Sequence, residues 1–272
     1  MEHKEEQTMK FDSERTGTGT REWAEVTENI QLGCVNDCLY CYAANNANRF
    51  RRRDRAEWAR EELTRRANMR SYPAKEGVVM FPSAHDITQF NVEAFIKVAK
   101  LILAKGNKLL IVTKPRLDIM LRVMEELSPW RDQILLRFTI GSMDAGLTAL
   151  WEPGAPSPSE RLFCLRVAGH RGFAFSVSIE PMLGGVEETL RVVRMCMPFE
   201  PESVWIGKMN KIRVRVADKR QEVLEAIRRV EELQRDEEIL RLVDSLKGNP
   251  AIRWKDSIKV VLENNKSGGN RA

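Results

Sequence analysis

The sequence predicts an α/β protein built on a parallel sheet. Short apolar runs rich in β-branched residues alternate with amphipathic stretches of helix length, which is the pattern of successive strand–helix units. The runs are continuously apolar rather than alternating, and this favours strands that are buried on both faces of a parallel sheet. Periodicity leaves two architectures open, an open doubly wound sheet and a partial barrel.

The elements follow in order along the chain. The first predicted strand is the weak run Glu28–Gln31, and five stronger strands follow at 77–81, 108–113, 134–140, 173–179 and 203–206. Amphipathic helices are predicted over 57–70, 91–105, 117–127, 159–170 and 186–197. Long charged patterns then predict helices over Ala217–Leu233 and Asp236–Leu246, ended by Gly248-Asn249-Pro250, and a short helix around Lys255–Leu262. We therefore divide the chain into a flexible or surface-wrapping leader over 1–22, an α/β unit over 23–212 and C-terminal helices over 213–272, with a frayed tail from Ser267.

Composition and cysteine usage indicate a cytoplasmic protein. The chain has 272 residues, of which 43% are hydrophobic and 31% charged, as in ordinary globular domains. No run approaches the ~18 apolar residues of a spanning helix, and the polar N-terminus has no apolar signal core, so we expect no membrane partner. Five cysteines are too few and too uneven for a disulfide framework. A net charge of +5 permits anionic partners without requiring them.

Three cysteines form the motif that carries the chemistry. Cys34, Cys38 and Cys41 follow the first predicted strand with the spacing C-x3-C-x2-C. Three thiolates on one short loop can bind three irons of a 4Fe-4S cubane, which leaves the fourth iron open to another ligand. A zinc site would need a fourth protein ligand, which His85 could supply. The remaining cysteines, Cys164 and Cys196, lie at apolar helix positions and are expected in the core.

The motif C-x3-C-x-Y-C followed by β-α units resembles the radical S-adenosylmethionine (radical SAM) enzymes over about residues 25–210. This resemblance implies a partial (β/α)6 barrel of the TIM type with a helical C-terminal extension. It also implies an oxygen-sensitive 4Fe-4S cluster on the three cysteines, with SAM bound to the open iron. A one-electron reductant such as ferredoxin or flavodoxin would then cleave SAM to a 5′-deoxyadenosyl radical, which abstracts hydrogen from a substrate that the sequence does not identify.

Two segments narrow the resemblance. Residues 152–162 are similar to the helix-entry segment of spore photoproduct lyase-like proteins, and residues 178–184 to a segment of phage-type relatives of that group. The first segment also predicts a helix start by itself, because Ser157 or Ser159 beside a proline suits a helix N-terminus.

The same resemblance suggests which residues contact SAM. Tyr40 matches a position beside the adenine, and Ser83 matches a serine that contacts the methionyl amino group. Lys114 matches a lysine placed against the carboxylate, and Ser142 matches a serine that meets the ribose, for which Thr139 is the other candidate.

Polar residues at the ends of the remaining predicted strands complete the expected site, because ligands of parallel β-α proteins bind at the carboxyl ends of strands. Glu180 and Gly207 are placed with the SAM-binding residues. Glu180 should either pair with Lys114, Lys208 or Arg161 or bind a ligand, since a buried unpaired carboxylate is costly. His85 and Asp86 are assigned to substrate or proton handling.

Three classes of function remain open at this stage. Repair or modification of a nucleic-acid base is suggested by Tyr40 and Tyr42, which bracket Cys41 as in the lyases, where tyrosine helps relay a hydrogen atom. Pro82, however, stands where those lyases have a hydrogen-donating cysteine. A peptide, protein or metabolite substrate is the second possibility, and a non-catalytic Cys3His zinc or iron–sulfur regulator is the third. Nucleic-acid contact would use the basic run Arg49–Arg55, or a second cluster near the barrel mouth formed by Lys208, Lys211, Arg213 and Arg215.

Overall fold

The computed structural model describes residue 11 and residues 17–269. In this part of the chain, seven parallel strands form one sheet that curves into a half-barrel, which confirms the predicted α/β partial barrel. In spatial order these strands are β1 (Val26–Thr27), β4 (Val78–Met80), β5 (Lys108–Thr113), β6 (Ile134–Thr139), β7 (Ala174–Ile179), β8 (Val204–Ile206) and β9 (Ile252–Trp254). A separate antiparallel pair consists of β2 (Gln31–Leu32) and β3 (Glu62–Leu63).

The helices pack mainly on the outer face of the sheet. They are α1 (Tyr42–Arg49), α2 (Val92–Leu103), α3 (Leu117–Leu127), α4 (Ala145–Trp151), α5 (Pro158–His170), α6 (Val186–Cys196), α7 (Ile212–Arg215), α8 (Gln221–Leu233), α9 (Asp236–Ser245) and α10 (Asp256–Gly269). The start of α5 is capped as predicted, because the Ser157 side chain accepts a hydrogen bond from the Glu160 N–H and Pro158 opens the helix. Cys164 and Cys196 are fully buried in the core.

The helix predicted over 57–70 is wrong. This segment holds β3 between two short 3-10 turns, Arg55–Glu57 and Arg65–Asn68. Pairing of Leu63 with Gln31, together with a hydrogen bond from the Thr64 N–H to the Ile30 carbonyl at 2.8 Å, takes the place of helical bonds. Tertiary pairing here overrides local propensity.

Both margins of the sheet also differ from the prediction. The first predicted strand, Glu28–Gln31, falls between β1, which ends at Thr27 and pairs with β4, and β2, which begins at Gln31 and lies outside the main sheet. The seventh strand, β9, was not predicted, and it pairs in parallel with β8. Three residues centred on Arg253 are too short and too polar to give a strand pattern. The C-terminal region is therefore part of the sheet as well as a set of helices.

Side chains fill the interior of the half-barrel away from the carboxyl ends of the strands. Trp23 and Trp205 meet edge to face with ring centroids 5.9 Å apart. The Arg137 guanidinium lies 4.8 Å from the Trp23 ring and 5.3 Å from the Trp205 ring, and its Nε donates to Ser176 at 2.9 Å. Because this layer closes the interior, the open space lies toward the carboxyl ends of the strands.

Residues 19–22 and 255–256 form what we call the terminal clasp. Lys255 Nζ donates to the Gly19 carbonyl at 2.7 Å and lies 3.5 Å from Glu22 Oε1, and the Asp256 N–H donates to the same Glu22 oxygen at 3.0 Å. The described end of the predicted leader is therefore bonded to the start of α10. Residues 1–10 and 12–16 of that leader lie outside the described part of the chain.

At the other end, α10 continues through Gly269, so residues 267–269 are helical rather than frayed, and residues 270–272 lie outside the described part. Across the residues that the structure describes, none of the helices has the length and apolar character needed to cross a membrane.

Candidate active site

A cavity of about 430 Å³ lies at the carboxyl ends of the parallel strands. Ten of the predicted site residues line this one cavity, namely Cys34, Cys38, Tyr40, Cys41, Tyr42, Ser83, His85, Asp86, Lys114 and Glu180. The other two, Ser142 and Gly207, do not line it. The half-barrel therefore gathers most of the expected site from segments that are far apart in sequence.

The cysteine loop presents its three thiols to this cavity through two tight turns. The Asp37 N–H donates to the Cys34 carbonyl and the Cys41 N–H to the Cys38 carbonyl, each at 3.1 Å. Asp37 adopts a positive φ of 43° at the first turn. Cys41 also caps α1, since its Sγ accepts from the Ala44 N–H at 3.4 Å. Helix α1 thus begins directly after the third cysteine of the loop.

Two supports that the sequence did not reveal hold this loop in place. The first is Arg55, whose guanidinium pairs with the Asp37 carboxylate and donates to the Asp37 carbonyl at 3.3 Å and the Cys38 carbonyl at 3.2 Å. The second is Gly154, whose N–H donates to the Asn36 carbonyl at 3.1 Å. A Cβ at Gly154 would overlap the Val35 carbonyl oxygen, so this close approach requires glycine.

The donor set fits an iron–sulfur cluster better than a single zinc ion. Burial raises the pKa of the Cys38 thiol to about 12 and raises the pKa of the Cys34 and Cys41 thiols, so a bound cation would be needed to keep them deprotonated. Within the described residues, no group of three or more histidine, cysteine, aspartate or glutamate side chains is gathered around a point that could hold one metal ion. Cysteines of a cubane bind separate irons and need no such common point.

His85 is turned toward backbone groups rather than toward the cysteines. Its Nε2 accepts a hydrogen bond from the Ile30 N–H at 3.2 Å, and its Nδ1 lies 3.0 Å from the Asp86 carbonyl. Burial lowers the pKa of His85 to about 4, so the ring is neutral at neutral pH. This geometry argues against the Cys3His zinc alternative, and it gives His85 a structural position in the loop after β4.

Asp86 links the cysteine loop to Lys114. Its carboxylate accepts from the Asn36 amide at 2.8 Å, the Thr113 hydroxyl at 2.8 Å and the Lys114 N–H at 2.6 Å, and Lys114 Nζ lies 3.8 Å away. Burial would raise the pKa of Asp86, but Lys114 and these donors hold it below its usual value. Burial would likewise lower the pKa of Lys114, but Cys38 and Asp86 raise it, so the ammonium stays charged. Asp86 therefore orients other site residues.

Tyr40 is anchored by a buried ion pair. Its hydroxyl donates to the Glu152 carboxylate, which lies 2.5 Å from the Arg161 guanidinium. Glu152 and Arg161 are each only 1% exposed. Arg161 also donates to the Pro156 carbonyl at 2.9 Å. The Lys114 ammonium lies 5.8 Å from the centre of the Tyr40 ring, so this tyrosine and the lysine border the same space.

The loop after β4 carries Ser83 at the cavity. Asn29 shapes this loop, because its side-chain oxygen accepts from the N–H groups of Ser83 and Ala84 at 2.9 Å and 2.7 Å, and its nitrogen donates to the Ser83 hydroxyl at 2.8 Å. The Tyr42 hydroxyl donates to the Ser83 carbonyl. Tyr42 is 38% exposed, so it stands at the mouth of the cavity.

Ser142 does not line the cavity, and its hydroxyl donates to Glu188 at 2.7 Å in the turn before α4. Thr139 and Ser178, which lie side by side on β6 and β7, line the cavity instead. The Ser178 hydroxyl is fully buried, and no hydrogen-bond partner for it lies within the described residues. A buried hydroxyl without a partner is costly, so this position fits a polar group of a bound ligand.

Glu180 borders the cavity but does not pair with any of the expected cations. Its carboxylate lies 3.5 Å from Lys255 Nζ, while Lys208 pairs with Asp236 at 3.0 Å. Gly207 packs behind this pair, because a Cβ there would meet Lys255 at 3.0 Å and Glu180 at 3.1 Å. The sequence could not suggest Lys255, which lies 75 positions from Glu180 and directly after the unpredicted strand β9.

A curated viral protein matches part of the chain. The chain is 28% identical over 169 residues to an uncharacterised protein, ORF301, of Acidianus two-tailed virus, a match that covers 57% of this chain and 54% of the viral protein. The chain therefore spans about half the length of that curated relative. No protein-family model matches the chain.

Two solved structures resemble this chain over most of its length. Spore photoproduct lyase complexed with a dinucleoside spore photoproduct is 16% identical, with a TM-score of 0.52 over 92% of this chain and 79% of the lyase. Streptococcus suis SuiB bound to S-adenosylmethionine is 11% identical, with a TM-score of 0.51 over 83% of this chain and 48% of SuiB. The chain therefore shares the half-barrel fold of these two structures, both of which are radical SAM enzymes.

Proposed function

We propose that the chain is a radical SAM enzyme with a 4Fe-4S cluster on Cys34, Cys38 and Cys41. The observation that carries this proposal is that three cysteines of one loop line the cavity at the carboxyl ends of a half-barrel that resembles those of radical SAM enzymes. When bound, the cluster supplies the electron that splits SAM into methionine and a 5′-deoxyadenosyl radical, which abstracts hydrogen from the substrate.

The residues around the thiols would bind and orient SAM. Ser83 and Lys114 would take the amino and carboxylate groups of the methionyl part, and the Tyr40 ring would lie beside the adenine. Thr139 and the unpartnered hydroxyl of Ser178 would take polar groups of the nucleoside. The buried layer around Trp23 and Trp205 closes the cavity on the side away from the carboxyl ends of the strands. It would exclude water from that side and so protect a reactive radical.

The test is anaerobic reconstitution followed by incubation with SAM and a strong one-electron reductant. We expect about four irons and four sulfides per chain, a broad visible absorption, and release of 5′-deoxyadenosine without any added substrate. A cluster without SAM cleavage would favour a non-catalytic regulator. Zinc in place of iron and sulfide would exclude the proposal.

Lys114 gives a sharper test of the SAM site. Its ammonium would form a charge-assisted bond with the SAM carboxylate, worth about 1.5–3 kcal/mol. Lys114→Met should therefore weaken SAM binding about ten- to a hundredfold while leaving the iron content unchanged. Binding can be measured by equilibrium dialysis of the reconstituted protein. Lys100→Met, at a surface ion pair with Glu126, is the matched control, and equal SAM affinity in the two variants would remove Lys114 from the site.

A second candidate function is modification of a nucleic-acid base, and one surface feature favours it. Phe50 is 60% exposed at the end of α1, and the guanidinium groups of Arg49 and Arg52 lie 5.6 Å and 5.7 Å from the centre of its ring. Exposed aromatic rings beside arginines are typical of surfaces that stack bases and contact phosphates.

The structure also corrects the extent of this basic surface. Arg53 is buried and pairs with Glu62 at 2.6 Å, and Arg55 supports the cysteine loop. Arg51 and Arg52 are exposed, and no carboxylate among the described residues lies within ion-pair distance of either one. A phosphate backbone would therefore meet Arg49, Arg51 and Arg52 rather than the whole run.

We expect oligonucleotide binding by this surface to be weakened by salt, because each neutralised phosphate releases counterions. Arg51→Gln with Arg52→Gln should flatten the salt dependence by up to about two units on a log–log scale. Fluorescence anisotropy of labelled single-stranded and double-stranded oligonucleotides at several salt concentrations measures this slope. Arg228→Gln with Arg229→Gln, on the exposed face of α8, is the control pair. No salt-sensitive binding by the wild-type protein would exclude this second candidate.

A further inference from the structure

Helix α7 places one arginine, Arg215, at the cavity. This short helix follows β8, yet it contacts α1, because the Asn45 amide donates to the Val214 carbonyl at 3.0 Å. The next residue, Arg215, lines the same cavity as the three thiols. Tyr42, which is exposed at the mouth, lines this cavity as well.

Among the described residues that line the cavity, Arg215 is a cation without a paired carboxylate. Each lining carboxylate already has a cation, since Asp37 pairs with Arg55, Asp86 with Lys114 and Glu180 with Lys255. For Arg215, in contrast, no carboxylate lies within ion-pair distance anywhere in the described chain, and its guanidinium makes no hydrogen bond to a described residue.

The neighbouring arginine on the same helix behaves differently. Arg213 points to the surface and forms a two-pronged pair with Glu231, with nitrogen–oxygen distances of 2.6 Å and 2.5 Å. Arg215 is half-buried and keeps both prongs of its guanidinium available to a ligand. A planar guanidinium of this kind matches the geometry of phosphate and carboxylate oxygens.

From this imbalance we infer that Arg215 binds an oxyanion of the substrate, a phosphate or a carboxylate, at the mouth of the cavity. The inference rests on the proposed function in one respect, since it takes the bound anion to be part of the substrate. Binding of an anion at Arg215 does not itself depend on turnover. Lys114 lies deeper, against Tyr40 and Asp86, so the two cations would hold two different anionic groups.

The test uses reconstituted protein with SAM bound and two simple probes, methyl phosphate and N-acetylglycine, in isothermal titration. The wild type should bind at least one of them, and the probe that binds identifies the oxyanion. Arg215→Gln should weaken that binding about tenfold or more, Arg215→Lys should weaken it less, and Arg213→Gln should leave it unchanged. The affinity for SAM should be the same in all four proteins.

Each of the opposite results overturns the inference. Equal probe binding by the wild type and Arg215→Gln, or no binding of either probe, excludes an oxyanion site at Arg215. A parallel loss of SAM affinity in Arg215→Gln would instead assign this arginine to SAM. Failure of the proposed function is distinguishable, because it would appear as a wild-type protein that releases no 5′-deoxyadenosine whatever the probes show.

Discussion

Replacing Cys38 with alanine is expected to abolish both the iron–sulfur cluster and the cleavage of SAM. Cys38 is buried between the other two thiols of the loop, and a cubane held by only two protein thiolates has two open irons. We expect the same loss for Cys34→Ala and Cys41→Ala. Iron and sulfide analysis, visible absorption and 5′-deoxyadenosine release measure it directly.

Cysteines outside the loop are the control for this loss. Cys164→Ala removes a buried thiol from α5 and Cys196→Ala removes one from α6, and neither residue lines the cavity. These variants should keep full iron content and SAM cleavage, with a modest loss of stability. Full iron, sulfide and cleavage in any of the three loop variants would refute the radical SAM assignment.

Replacing Arg161 with methionine is expected to destabilise the fold by about 3–5 kcal/mol, because it leaves the Glu152 carboxylate buried without its cation. The same change should loosen Tyr40, whose hydroxyl donates to that carboxylate. Urea unfolding followed by far-ultraviolet circular dichroism, on protein without the cluster, gives the free energy of unfolding of each variant.

Two further variants separate loss of the charge pair from loss of side-chain packing. Arg166→Met, at an exposed position of the same helix, should change stability by less than about 0.5 kcal/mol. The double variant Arg161→Met with Glu152→Gln removes the stranded charge and should recover a large part of the loss. A single variant as stable as the wild type would show that the pair does not contribute to the fold.

The sequence predicted the parallel sheet and most of the site because both leave local signals. Continuous apolar runs marked the strong strands such as Lys108–Thr113, and three cysteines within eight residues marked the loop. The rule that parallel strands end at a common edge then predicts that the residues after those strands, Ser83, Lys114 and Glu180, lie in the site. Each of these three does line the cavity.

Supports of the site could not be predicted in the same way, because they depend on partners distant in sequence. Tyr40 and Glu152 are 112 positions apart, and Arg55 reads locally as one more residue of a basic run. The position of Ser142 outside the cavity lining has a related reason. A polar residue three positions beyond a buried strand can turn into the next loop, where Ser142 bonds to Glu188, while Thr139 at the end of the strand itself lines the cavity.

The terminal clasp has a consequence for how the protein is made. Gly19 and Asp256 are separated by 237 positions and yet are hydrogen-bonded, so the wall of the cavity that includes Thr18, Gly19 and Thr20 is held by a residue that is synthesised much later than the wall itself. A contact of such high sequence separation forms late in folding, after the local strand–helix units. A nascent chain would thus carry its cysteine loop before this wall of the cavity is held in place, and a cluster of the kind we propose would be better shielded if it were inserted after the terminal clasp has formed.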